Sequence, residues 1–399
     1  MNKLLLAIGL SRSVIVKKLS ILISLCCLAE QAAVGQTTSG TVYQPQFNSD
    51  PNVIRAIVRR EAAKLGSKAV EFGMWVNENE IVTMALGDSM TTVPARTNMH
   101  YRIGGIALTF MSTLLLILVK DQRVSLDTPI APWFPGLLDA DKVTPRMLVA
   151  NTAGYIDYVS VQDFQDLQMA QPFRTFTDDE LIQYSVRDGK MNFPPGTSQK
   201  YSHTDNAILG QFIQRATGES IKDLYDEYLF GPLGMKDTRF PPNQNIQNPV
   251  LHAFTGERGV YEDNTYWNPS WASTPGLPTS NLRDLGKWGP VFGSGRLVTP
   301  ELFKMQTAFV ALGENKPDLY FAFGFVVANG WYAQNPAING YSGGFAYKPS
   351  IGVTITAEAT KSETASSEGA GFEIVREVTK YVTPKSPINF GGGDKGKRE

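Results

Sequence analysis

From residue 106 to residue 119 the chain is apolar nearly all round, broken only by Thr109, Ser112 and Thr113. A helix without a polar face has to be buried on every side. Residues 99–120 (MHYRIGGIALTFMSTLLLILVK) therefore require a core large enough to enclose them. The stretch is too short and too interrupted to span a bilayer, and Arg102 and Lys120 bracket it. Gly104-Gly105 lead into it, and a helix that starts at paired glycines presents free backbone N–H groups to whatever sits at its mouth. The chain can supply such a core: 399 residues suffice for one large domain or two intimate ones, and 42% of them are apolar. Lys and Arg number 37 against 38 Asp and Glu, a balance that argues against nucleic acid or an anionic membrane surface as the main partner.

The first residues read as a targeting segment. Lys17-Lys18 are basic, residues 19–29 are apolar, and Ala32-Ala33-Val34-Gly35 offer small residues for cleavage. The apolar run is short for a membrane anchor, and Leu25 before Cys26 does not suit a lipid-anchoring signal. Residues 1–35 are expected to be a signal peptide, directing export to a periplasm or the medium, with no stable membrane span after processing. Both cysteines, Cys26 and Cys27, lie inside it, so the mature chain is expected to have no disulfide and no thiol chemistry. Residues 36–48 are a polar lead-in, and residues 383–399, rich in Pro, Gly and charge, read as a disordered tail.

Between these ends the pattern is mixed. Asp50-Pro51 opens a helix with Val53, Ile54, Ile57, Val58 and Ala62 as its buried stripe and Gly66 as its stop. Residues 69–76 and 81–86 alternate as a β-hairpin. Residues 121–274 are mostly helical and loop-rich; within them Thr204 can cap a helix that buries Ile208, Leu209, Phe212, Ile213 and Ala216 and ends at Gly218. Residues 319–328 and 351–359 read as strands, and residues 372–382 as a closing amphipathic helix.

Several phrases carry a family resemblance. Y-R-I-G-G-I-A-L-T-F (residues 101–110), then L-V-K-D-Q-R-V-S-L-D-T-P-I (118–130), T-P-R-M-L-V-A-N-T-A-G-Y (144–155), F-P-P-G (193–196) and G-P-L-G-M-K-D-T (231–238) occur in that order. They resemble the class C-like branch of the serine β-lactamase and penicillin-binding-protein superfamily, which includes D-alanyl-D-alanine peptidases and esterases. The resemblance implies an α+β fold: an antiparallel sheet flanked by helices, with an inserted mostly helical domain. The α/β part would take residues 49–120 and 275–382, the insertion residues 121–274, and a cleft would lie between them.

That family carries S-x-x-K at the mouth of the buried helix. Laid on this sequence, the Ser position is Gly105 and the Lys position is Leu108. Glycine has nothing to acylate and leucine cannot accept a proton. Loss of the nucleophile in a serine hydrolase costs on the order of 10⁶ in rate, about 8 kcal/mol of barrier. No S-x-x-K occurs elsewhere in the chain. Ser112 is seven residues on, about 10 Å along the axis, and reads as a buried hydroxyl bonded to its own helix.

The family's Y-x-N loop corresponds to Tyr201-Ser202-His203, and its K-T-G or H-S-G strand to Tyr341-Ser342-Gly343. Asn151 stands where the family usually has His. Gly340–Gly344 also matches G-x-S-x-G, but that motif needs a strand, a sharp turn and then a helix; a strand follows here, so Ser342 reads as a ligand hydroxyl. The resemblance thus implies a ligand pocket of Gly105, Asn151, Tyr201, His203, Tyr341, Ser342 and Gly344, with Trp267 and Trp271 on its rim. Three scattered His and no mature Cys give no metal signature, and no cofactor is expected. The expectation is an exported pseudo-hydrolase that binds a peptide, ester or acyl-amide ligand. The alternative is an active hydrolase or transferase on the same frame, working through Tyr201 and His203, since an imidazole beside a phenol can move protons near neutral pH. A scaffold with a vestigial cleft is a third possibility.

Overall fold

The computed structural model describes residues 47–365 and 369–390. The expected signal segment with Cys26 and Cys27, nearly all of the lead-in and residues 391–399 lie outside the described residues.

Helix α1 (Pro51–Leu65) begins where Asp50 accepts a hydrogen bond from Asn52 N, and ends at Gly66 in the left-handed region. Its buried face is Ile54, Ile57, Val58, Glu61 and Ala62. Val53, expected inside, is 38% exposed. The i, i+3, i+4, i+7 spacing runs from Ile54 to Glu61 instead, and Arg60 and Lys64 hold the Glu61 carboxyl. Strands β1 (Ser67–Val76) and β2 (Asn79–Met90) form the expected hairpin, and β3 (Val93–Pro94) pairs with β2.

The apolar stretch becomes helix α2 (Ala107–Lys120), entered through a 3₁₀ turn over Gly104–Ile106. Every residue from 107 to 118 is buried. Its polar residues are satisfied locally or by neighbours. Thr109 Oγ1 donates to Ile106 O and accepts from Trp288 Nε1, while Ser112 donates to Thr109 O and accepts from Gln306 Nε2. Ser112 is therefore structural.

Short helices and loops then run to residue 274. The longest is α3 (His203–Thr217), which ends at Gly218 as expected, but its cap is Ser202, whose side chain accepts from Asp205 N. Thr204 instead ties its hydroxyl to Ile156 O and Tyr158 N. Helix α4 (Leu282–Ser294) returns the chain to the sheet. Six strands follow: β4 (Leu319–Phe321), β5 (Val326–Ala328), β6 (Trp331–Gln334), β7 (Ala337–Ile338), β8 (Tyr341–Lys348) and β9 (Val353–Lys361). The single strand expected over 319–328 is broken by a turn at Gly324, where φ is +79°. Helix α5 (Ala370–Val382) closes the fold.

The sheet is antiparallel throughout, in the order β3-β2-β1-β9-β8-β6-β5-β4, with β7 continuing beside β8 where β6 leaves off. Two-residue alternation gives it two apolar faces. Val70, Phe72, Met74, Ile355 and Ala357 pack under α1 and α5. Trp75 joins the larger core around α2, Trp288 and Phe292. Helix α4 lies so close that a Cβ at Gly289 would stand 2.1 Å from Thr354 Oγ1. Residues 383–390, expected in a disordered tail, are packed. Ile388 is 1% exposed, Trp331 Nε1 donates to Ser386 O and Asn329 Nδ2 donates to Pro387 O. One buried isoleucine and two fixed carbonyls outweigh the polar composition there.

Candidate ligand site at the mouth of the central helix

The two glycines at the mouth of α2 determine what can approach it. Gly104 has φ +43°, and a Cβ there would stand 2.9 Å from Pro336 Cβ. On Gly105, which is half-buried, a Cβ would stand 3.1 Å from Gln334 Oε1 and 3.9 Å from Pro336 Cβ. The segment facing the mouth is thus β6–β7, through Gln334 and Pro336. Gln334 donates through Nε2 to Gly324 O, and Gly324 is packed against the Leu108 carbonyl. Leu108 is buried.

This corrects the placement of the third expected element. Tyr341, Ser342 and Gly344 belong to β8, an interior strand whose two edges are taken by β9 and by β6–β7. Tyr341 is buried and its hydroxyl donates to Leu251 O; burial pushes its phenol far above the usual range. Ser342 points to the opposite face, where its Oγ accepts from Gly371 N under α5. Gly344 lies on that face too: a Cβ there would be 2.8 Å from Phe372 Cα. The G-x-S-x-G phrase is strand, so it forms no nucleophile elbow. The signal that places it was present in the sequence. Asn339-Gly340, both at positive φ, make a two-residue turn that pairs Ile338 with Tyr341.

Asn151 is fully buried at φ +54°. Its Oδ1 accepts from Ser202 N at 2.8 Å and its backbone O from Lys200 N at 3.0 Å. It therefore holds the segment carrying Tyr201 in place and lines no cleft. Tyr201 is exposed, its ring edge-on to His203 at 5.0 Å and to Phe321 at 6.0 Å. Because Ser202 is the cap, His203 sits in the first turn of α3 and not in a loop. Its Nδ1 lies 3.0 Å from Asp157 Oδ2, a partner the sequence did not single out. The ring also faces Tyr158 at 5.9 Å and Trp271 at 6.4 Å.

Trp271 Nε1 donates to Asn339 Oδ1, and Asn339 Nδ2 donates to Trp267 O, so the expected rim tryptophans are fastened to the β7–β8 turn. Beside them is a cavity of about 360 Å³ bordered by both indoles, Ile338, Tyr341, Ser342 and Gln165. Its size is that of a small-ligand pocket. The other two histidines are elsewhere: His100 meets Pro249 O and Asp237, and His252 meets Asp263. Among the described residues no group of three or more His, Cys, Asp or Glu is placed to hold a metal ion, and no helix is long and apolar enough to cross a membrane.

A second feature escaped the sequence reading. Glu71 on β1 and Glu358 on β9 are direct cross-strand partners, both 0% exposed, with no side chain hydrogen-bonded to either carboxyl. Burial holds both acids well above the usual carboxylate range, and the neighbouring Glu358 adds to the rise at Glu71. Glu358 lies behind the strand that faces the helix mouth: a Cβ on Gly343 would be 2.9 Å from Glu358 Oε2 and 2.7 Å from Pro336 Cγ.

A sheet between helices, a helical insertion and a cleft at the mouth of a buried helix define the β-lactamase and penicillin-binding type of serine-hydrolase fold. Residues 54–380 match the Beta-lactamase family model, and the chain belongs to that family. The fold is similar to the D-stereospecific amidohydrolase from Streptomyces sp., with a TM-score of 0.71 and 23% identity over 80% of this chain and 97% of that one. It is also similar to the D-amino acid amidase from Ochrobactrum anthropi SV3, with a TM-score of 0.71 and 22% identity over 83% and 97%. A D-aminopeptidase of Cereibacter sphaeroides is 29% identical over 201 residues, which are 48% of this chain and 36% of that protein. The match therefore spans about a third of that relative's length.

Proposed function

We propose that this chain is an exported member of the family that holds a peptide, ester or acyl-amide ligand at the helix mouth and forms no acyl-enzyme with it. The observation that carries the reading is Gly105. At the position the resemblance assigns to the nucleophile there is only hydrogen, and what faces it is the neutral Gln334 amide at 3.1 Å from an ideal Cβ. One helical turn on, Leu108 offers buried hydrocarbon where a base would stand. Binding apparatus remains: backbone N–H groups at the helix mouth and the exposed Tyr201 ring. The relatives' names, an amidohydrolase and an amidase for D-amino acids and a D-aminopeptidase, point to D-amino acid amides as the first ligands to try.

Two measurements on the mature protein test this. Intact mass after treatment with a penicillin or a fluorophosphonate should show no adduct, and calorimetric titration with D-phenylalanine amide should show saturable binding. The double substitution Gly105→Ser, Leu108→Lys should then gain partial labelling, because a Cβ at position 105 meets only the end of a Gln side chain. Stoichiometric labelling of the wild type would mean that another residue is the nucleophile and that the reading is wrong.

A further inference from the structure

His203 has one ring nitrogen engaged and one free. Nδ1 faces both oxygens of Asp157, at 3.0 and 3.2 Å, while Nε2 makes no hydrogen bond among the described residues. A carboxylate at Nδ1 fixes the tautomer: the proton stays on Nδ1 and the Nε2 lone pair points outward. Asp157 is itself held, since its Oδ1 accepts from Val159 N at 3.1 Å. Tyr201, Tyr158 and Trp271 hem the imidazole on three sides, and Trp271 also walls the 360 Å³ cavity. The ring is part-buried, its side chain 26% exposed. This is how a general base is built.

We propose that Asp157 and His203 form a general-base dyad that directs water at the carbonyl of a bound carboxylic ester, so that the protein hydrolyses esters with no acyl-enzyme. The inference rests on the reading that this cleft binds an acyl ligand, and it adds a reaction to it. Nε2 takes a proton from water as the water oxygen bonds to the carbonyl carbon, and the C=O electron pair moves onto the carbonyl oxygen. When that pair returns, the bond to the alcohol oxygen breaks and the proton on Nε2 passes to the departing alkoxide. The products are a carboxylic acid and an alcohol, and the dyad is restored without any oxidant or reductant. His203 would touch the reacting water; Asp157 is a positioning residue. The other titratable groups around the ring are Tyr201, Tyr158 and, two residues along α3, Asp205. Burial raises both Tyr158 and Asp205 well above their ordinary values.

The test is steady-state hydrolysis of p-nitrophenyl acetate by the wild type, His203→Ala and Asp157→Asn, each checked for folding by thermal unfolding. The wild type should show steady turnover with no burst. His203→Ala should lose about 100-fold and recover in part with added imidazole, above free imidazole's own hydrolysis of the ester, which a structural role would not produce. Asp157→Asn should lower kcat at least about 10-fold with little change in KM. Should His203→Ala unfold, His203→Gln and Asp157→Asn carry the test. Equal rates in the wild type and a folded His203 variant overturn the dyad. If the wild type nevertheless binds D-phenylalanine amide, the ligand-binding reading stands; if it neither binds nor hydrolyses, both fall.

Discussion

Replacing Glu71 by Gln should stabilise the protein at neutral pH and leave it nearly unchanged in acid. Glu71 and Glu358 face each other across β1 and β9 with no exposure and no side-chain partner. Burial, and for Glu71 also the facing carboxyl, raises both above the ordinary range. In the unfolded chain a Glu titrates near about 4.3. Above that pH the folded state holds more protons than the unfolded one, so stability falls as pH rises. The pair's contribution is fully present below about pH 4.3 and is lost as pH climbs toward the folded-state values. Each carboxyl that stays protonated in the fold costs up to about 1.4 kcal/mol per pH unit above that point. A Gln amide matches the protonated acid in shape and has no proton to release. Urea unfolding at pH 5, 6 and 7, followed by tryptophan fluorescence, should therefore give Glu71→Gln a shallower fall than the wild type by up to that amount. Parallel curves, with the variant weaker at every pH, would show that Glu71 is ionised in the fold and would refute the reasoning.

Two further substitutions probe how the site is held. Asn151→Ala removes the acceptor for the buried Ser202 N–H and places a methyl side chain at φ +54°; it should cost about 2–4 kcal/mol and speed amide exchange around Tyr201. An unchanged exchange pattern would mean that Asn151 does not hold this segment. Ile388→Ala should lower stability by roughly 2–5 kcal/mol in urea unfolding; a change under about 0.5 kcal/mol, usual for a surface site, would place residues 383–390 back in a loose tail.

Much of the fold was legible because it rests on period and punctuation. The all-round apolar run from Ile106 to Val119 has only one solution, a buried helix. Asp50-Pro51 and Gly66 bracket α1 as a cap, a first-turn proline and a left-handed stop should. Errors arose where tertiary contacts decided between near-equal local choices. Ser202 and Thr204 are both competent caps, and Thr204 is drawn away by Ile156 O and Tyr158 N. Residues 383–390 look polar, yet Trp331 supplies a donor for Ser386 O.

The site was harder, because a motif is read by residue type whereas a cleft is built by register. Tyr341-Ser342-Gly343 has the side chains the resemblance asks for, but two residues upstream of Tyr341 the chain reverses at Asn339-Gly340. That reversal moves the phrase one strand inward, where its faces are covered by the two cores and its edges by β9 and β6–β7. The segment left facing Gly105 carries Gln334 and Pro336, neither of them a residue type that draws the eye as chemistry. An Asn-Gly pair between alternating residues is among the stronger short-range hairpin signals, so weighing turn chemistry ahead of motif likeness would have put Gln334 opposite Gly105. No such local rule exists for Asp157 and His203. They are 46 residues apart on different elements, and only the packing of α3 against the turn that Asp157 caps brings the carboxylate to the ring. That long-range contact gives the imidazole the motif already offered a carboxylate partner that no motif names.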